Sequence, residues 1–247
     1  MRADEVRQRY TTPLTAPAYA PAIPRFTNRE YLNIYYRTDF EAARAVTPEP
    51  LVVEDPIVRF ELMNMGDVTA YGPYVEAGQA VAVSFDGERG EYLTAMYVDN
   101  FPAIAIGREI NAYPKVLGTP RLYVDQAALV GTLDYGSLRV ATATMGYKHH
   151  ALDPDEARAS VTVPTYAVKY VVGYDATRRV CELTRTQIED VTVIEAWTGP
   201  ARLQLFEHVL APLADLPVRE IVSATHIVTD LSLGPVRPVY DYLAESG

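Results

Sequence analysis

Val58-Arg59-Phe60-Glu61-Leu62-Met63-Asn64-Met65 reads as a strand: its period of two puts Glu61 on the same face as Met63 and Met65, an acid beside two thioethers. The same pattern also suits an ordinary solvent-facing glutamate. Ten further β-rich runs surround it: Tyr31 to Arg37, Gln79 to Phe85, Tyr92 to Val98, Arg121 to Val124, Leu129 to Leu133, Leu138 to Met145, Thr165 to Val172, Val180 to Arg185, Val191 to Trp197 and Ile221 to Leu231. Gly87-Glu88-Arg89-Gly90 reads as a hairpin turn. Three helices are expected, over Asp39 to Val46, from Asp153 to about Ala159 behind a proline and a capping-box glutamate, and over Thr198 to Leu210 with an apolar stripe of Leu203, Phe206, Val209 and Leu210. Eleven strands in one domain must curl or close, so the expectation is a mainly β, β-rich α+β fold. It takes the form of a closed or cone-like antiparallel β-barrel with a few peripheral helices.

The 247 residues carry 22 Lys plus Arg against 32 Asp plus Glu, a formal charge of −10. With no linker-like segment, residues 1–247 read as a single domain. The acidic balance and the lack of a basic cluster argue against nucleic acid and against an anionic membrane surface. No apolar stretch approaches the roughly 20 residues needed to span a bilayer, and the first residues are charged where a signal peptide turns apolar, so the expected location is cytoplasmic. A lone cysteine, Cys181, cannot form an internal disulfide. Four histidines and that cysteine show no metal-ligand spacing, and phosphate loops, nucleophile elbows and dinucleotide fingerprints are missing.

Only three lysines exist, so lysine chemistry has three candidates. Lys169 sits mid-strand and reads as a rim residue with its stem along the sheet. Lys148 reads as a loop residue. Lys115 lies in Asn111-Ala112-Tyr113-Pro114-Lys115-Val116-Leu117-Gly118, among apolar neighbours, with a proline fixing its approach and a glycine closing the turn. A lysine embedded in this way can be desolvated, which favours its neutral, nucleophilic form, though a plain structural role suits the same surroundings. Glu76 precedes the apolar strand Ala80 to Phe85 and is expected at a strand mouth.

Asn28-Arg29-Glu30-Tyr31, Val58-Arg59-Phe60-Glu61, Glu76-Ala77-Gly78-Gln79-Ala80, Gly107-Arg108-Glu109 with Tyr113-Pro114-Lys115, Gly131-Thr132-Leu133-Asp134-Tyr135-Gly136, Ala141 through Lys148 and Glu195-Ala196-Trp197-Thr198-Gly199-Pro200 together resemble acetoacetate decarboxylase, from about Thr11 to Leu243. The resemblance implies a closed β-barrel or cone, no metal or organic cofactor, and a large homo-oligomer, typically a dodecamer. It implies that Lys115 is the Schiff-base lysine and that Arg29, Glu61 and Glu76 are polar residues of the cavity. Acetoacetate decarboxylase is itself the standard example of an amine activated by desolvation or a neighbouring cation, so that idea belongs to the family. The family often has a second lysine directly after the reactive one, and this chain has Val116. A second ammonium about 7 Å away at an effective dielectric near 20 would supply about 2.4 kcal/mol, short of the roughly 5 to 6 kcal/mol that neutrality near pH 6 to 7 requires, whereas burial can supply the whole.

The implied reaction is decarboxylation of acetoacetate, a small β-keto acid, to acetone and carbon dioxide by a cofactor-independent carboxy-lyase working through an imine and an enamine. Glu76 is the expected proton carrier, Arg29 would orient Glu76 or hold the substrate carboxylate, and Glu61 would position. Two alternatives stay open: a Schiff-base aldolase or dehydratase acting on other keto acids, and a non-catalytic small-ligand barrel.

Overall fold

The computed structural model describes residues 1–20 and 22–244. In chain order its elements are α1 (Ala3–Arg7), β1 (Arg25–Arg37), α2 (Phe40–Val46), β2 (Ile57–Val68), β3 (Val75–Phe85), β4 (Glu88–Val98), α3 (Phe101–Glu109), β5 (Lys115–Leu117), β6 (Thr119–Asp125) and β7 (Ala128–Tyr135). There follow β8 (Leu138–Gly146), β9 (His150–Ala151), α4 (Pro154–Val161), β10 (Thr165–Val172), β11 (Arg178–Thr186), β12 (Ile188–Thr198), β13 (Ala201–Leu205), β14 (Glu220–Leu233) and β15 (Arg237–Asp241).

The protein is mainly β, as expected, but the sheet is not a closed barrel. An 11-stranded sheet runs β15-β11-β10-β4-β3-β2-β1-β14-β12-β9, with β5 attached to β4, and its two end strands do not pair among the described residues. A separate 4-stranded sheet runs β13-β8-β7-β6. Nor is the pairing wholly antiparallel, since β4 pairs in parallel with both β5 and β10. An open sheet of more than about ten strands must curl or split into packed layers, and here a second sheet covers one face instead of the first closing on itself.

Between the sheets lies the larger core, where Leu32, Ile34, Phe60 and Leu62 of the large sheet meet Leu129, Leu133, Val140 and Ala141 of the small one. On the opposite face α3 lies against β4 and β5 and α4 against β12, and Ala103, Ala157 and Val161 share a core with Tyr31, Met63 and Met65. Alternation along a strand therefore sends neighbouring residues into different layers.

The helix expected over Thr198 to Leu210 is a β-turn-β passage instead. Ala201–Leu205 alternates buried and exposed residues and pairs with β8; Leu203 reaches the main core, while Phe206, Val209 and Leu210 are 40%, 91% and 66% exposed, so the helix-spaced stripe does not form one buried face. The other two expected helices form, with Asp153 accepting from the backbone N–H groups of Asp155 and Glu156 at the start of α4. Helix α3 was not expected; Asn100 caps it by accepting from Ala103 N at 3.0 Å, and Pro102 sits in its first turn. The hairpin turns at Asp86 and Gly87, with φ of 50° and 80°, so Glu88 to Gly90 already belong to β4. Among the described residues no helix is long and apolar enough to cross a membrane.

Candidate active site

A cavity of about 80 Å³ opens between the helix-covered face of the large sheet and α3, α4 and the Asn111–Lys115 loop. Strand register builds it. Asn33, Glu61, Gly78, Met96 and Lys115 stand directly opposite one another on β1, β2, β3, β4 and β5, one row across five strands. The position between Glu61 and Met96 in that row is a glycine, and a Cβ there would come within 2.9 Å of Glu61 Oε1, so Gly78 leaves the space into which Glu61 leans. The neighbouring row holds Tyr31, Met63 and Glu76.

Lys115 opens β5 and is 5% exposed. Its Nζ lies 2.8 Å from Glu76 Oε2 and 5.5 Å from the ring centres of Tyr74 and Tyr113. Glu76 is 1% exposed, and its Oε2 meets the amine at ion-pair distance without hydrogen-bond alignment. It is the second residue of β3, which begins at Val75, four residues before the run expected from Gln79, so it stands at the start of its strand as expected, and it is buried there. Glu61 pairs with Arg59, whose Nε and Nη2 also donate to Glu91 Oε2 at 2.8 and 2.6 Å. Burial opposes the charge on Arg59, but Glu91 and the nearby tyrosines outweigh it and raise the guanidinium pKa.

Arg29 points its Nη2 at Met63 Sδ, 2.7 Å away, and stacks over Tyr31 and Phe26 at 4.7 and 5.3 Å. Its buried Nε has no partner. Of the three cations lining the cavity, Arg59 is engaged by two carboxylates and Lys115 by one, which leaves Arg29 unpaired among the described residues. Burial pushes the hydroxyl of Tyr113 up to about 12 against an opposing pull from Lys115, and burial also raises Tyr71 and Tyr74. These phenols are protonated donors at neutral pH.

All four residues singled out in the sequence, Arg29, Glu61, Glu76 and Lys115, line this one cavity. The other lysines do not: Lys148 pairs with Glu195 at 2.5 Å, and Lys169 donates to backbone carbonyls of α3. Sequence reasoning passed over Arg59 and Glu91. The period of two already put Arg59 on the face of Glu61, whereas Glu91 lies one residue ahead of the expected start of its strand.

An enclosed amine beside a carboxylate, with a guanidinium in the same cavity that has no carboxylate partner, is chemically suited to a small anionic carbonyl compound. The comparisons agree. The acetoacetate decarboxylase family profile matches residues 10–243. An acetoacetate decarboxylase of Streptomyces nogalater is 61% identical over 99% of this chain and 100% of its own, and one of Clostridium acetobutylicum is 58% identical over 98% and 100%. A solved acetoacetate decarboxylase structure superposes with a TM-score of 0.97 at 58% identity, covering 98% of this chain and 100% of the other. The chain belongs to the acetoacetate decarboxylase family and is an enzyme of the lyase class.

Proposed function

We propose that this chain decarboxylates acetoacetate to acetone and carbon dioxide through an imine on Lys115. The observation that carries the reading is the enclosure of Lys115 beside Glu76, 2.8 Å apart, while the other two lysines are engaged elsewhere. A β-keto acid releases carbon dioxide readily only if the electron pair of the breaking C–C bond has somewhere to go, and a protonated imine at the ketone carbon accepts it better than the ketone does. Neutral Lys115 adds to the ketone, water leaves to give the iminium, and carbon dioxide departs to leave an enamine. Protonation of the enamine carbon and hydrolysis free acetone and restore the amine. The lysine supplies the electron sink, so no metal or organic cofactor enters the scheme.

Glu76, the carboxylate nearest Nζ, carries the protons of carbinolamine formation and breakdown. Arg29 makes no contact with Glu76, and its unpartnered Nε supports a role in holding the substrate carboxylate rather than in orienting the acid. Its remaining contacts, to a thioether and two rings, give a weakly polar seat that a departing carboxylate can leave. Glu61, neutralised by Arg59, positions.

The same reading carries a single domain, a cytoplasmic setting and a homo-oligomer, typically a dodecamer; exposed Phe101, Val209 and Leu210 support subunit contact, and light scattering at 27.4 kDa would contradict it. Carbon dioxide release from acetoacetate tests the activity. It is expected in the wild type and in Lys148→Ala and absent in Lys115→Ala; a wild type that releases none, or an active Lys115→Ala, rejects the reading.

A further inference from the structure

We infer that Gly107 is a positioning residue of this enzyme: the side chain missing from that turn of α3 leaves the slot in which the stem of Lys115 lies, and so sets the amine beside Glu76. The inference rests on the reading of Lys115 as the imine-forming residue. A Cβ at 107 would stand 2.6 Å from Lys115 Cδ, 3.1 Å from Cε and 3.3 Å from Cγ. Non-bonded carbons settle at about 3.5–4.0 Å, so roughly 1 Å of displacement is needed. The three nearest atoms all belong to this one lysine, and they lie along its stem.

A retreat on either side breaks named contacts. The lysine is 5% exposed and ends at Glu76 between two tyrosine rings. Helix α3 is fixed at both ends. Asn100 caps its start. At its end Arg108 Nη1 donates to the backbone oxygen of Lys115 at 3.1 Å, and Tyr113 N donates to Gly107 O at 2.8 Å. Lys169 Nζ donates to Arg108 O at 2.8 Å and to Glu109 O, which satisfies carbonyls the helix leaves free. The lysine expected to rest on the sheet rim is therefore a helix cap, and the helix it holds runs beside the stem of Lys115.

The helix itself does not ask for glycine at 107. Gly107 is absent from the positive-φ glycines, and alanine is the better helix former wherever the backbone is helical. Local preference and packing against Lys115 thus point in opposite directions at this residue, and the two can be separated because the collision needs both partners.

The test is a double-mutant cycle of wild type, Gly107→Ala, Lys115→Ala and the double variant, with Tm measured for all four. For wild type and Gly107→Ala, kcat, KM and the rate of borohydride trapping with acetoacetate are measured as well. With Lys115 shortened, Gly107→Ala should raise Tm by about 2–4 °C, the gain expected from helix preference in a chain of this size. With Lys115 intact that gain should vanish or reverse. Gly107→Ala should lower kcat and the trapping rate by about 10²-fold, the cost of roughly 1 Å of misplacement, with KM within about 3-fold of wild type. Equal Tm changes in both backgrounds, or kcat and trapping within about 3-fold of wild type, would overturn the inference. If Gly107→Ala does not fold, the double variant decides: a Tm above that of Lys115→Ala supports the inference and a lower one overturns it. Failure of the wild type to form any adduct would instead reject the imine reading, and the Tm comparison would still report on the collision.

Discussion

The two faces of the large sheet are built from the same strands and share almost no chemistry. On β1 and β2, Leu32, Ile34, Phe60 and Leu62 face the small sheet at 0–1% exposure, and their neighbours Asn33, Arg59 and Glu61 face the cavity. The first face is dry and close-packed, and it holds the strands in register. The second collects three cations and three carboxylates where burial makes each unpaired group costly. Among the described residues seven buried side-chain polar atoms lack a hydrogen-bond partner, and three of them, on Arg29, Asn33 and Glu76, line the cavity. Such groups are costly wherever they are buried, and the packed face supplies stability that offsets them.

That division can be broken most sharply from the cavity side. Glu76→Gln is expected to lower kcat by about 10²- to 10⁴-fold, as loss of a proton carrier does, and Glu61→Gln by less, because Arg59 already neutralises that carboxylate. Steady-state kinetics on folded variants check the order, and the reverse order would exchange the two roles. From the other face, Leu62→Ala should cost about 2–5 kcal/mol in denaturant unfolding and leave kcat of the folded enzyme within about 2-fold. A large kcat loss at full folding would show that the faces are not independent.

The cavity tyrosines extend the comparison to high pH. Tyr113 keeps its proton up to about 12 in the folded protein, above the roughly 10 of an unfolded chain. Its contribution is therefore fully present below about pH 10 and is lost as pH rises toward 12, because in that window the unfolded state gives up the proton more readily. Unfolding followed from pH 9 to 12 should show this decline, and Tyr113→Phe should flatten it; an identical slope in the variant would mean that Tyr113 does not titrate as its burial requires.

The smallest effect is expected at Val116. Its side chain packs against the main core, on the side of β5 away from the cavity, because adjacent residues of a strand diverge. Val116→Lys should move the pH midpoint of borohydride trapping by less than about 1 unit. A change of about 2 units or more would show that charge repulsion from position 116 reaches the amine.

Much of this division was legible in Val58 to Met65, where alternation named the strand and placed Glu61 beside two thioethers. The same period places Arg59 on that face too. Lys115 differs from the other two lysines in its apolar surroundings, but its role, like those of Arg29, Glu61 and Glu76, is what the resemblance to the family implies. What failed were choices that tertiary contact decides. Leu203, Phe206, Val209 and Leu210 carry helical spacing, but Ala201–Leu205 is held extended by β8. The closed barrel failed for a similar reason: strand number requires curvature, and nothing local says whether a sheet closes or is covered by a second one. Helix α3 was readable in part, since Asn100 and Pro102 are a start signal, but its apolar run has the length of a buried strand as well.

The central proposal is that, of the three lysines, Lys115 is the one that forms the imine. Borohydride added during turnover of acetoacetate, followed by peptide mass mapping, tests it most directly. The account predicts inactivation with a reduced isopropyl adduct on Lys115 and none on Lys148 or Lys169; an adduct on either of those, or continued carbon dioxide release with no adduct at all, would contradict it.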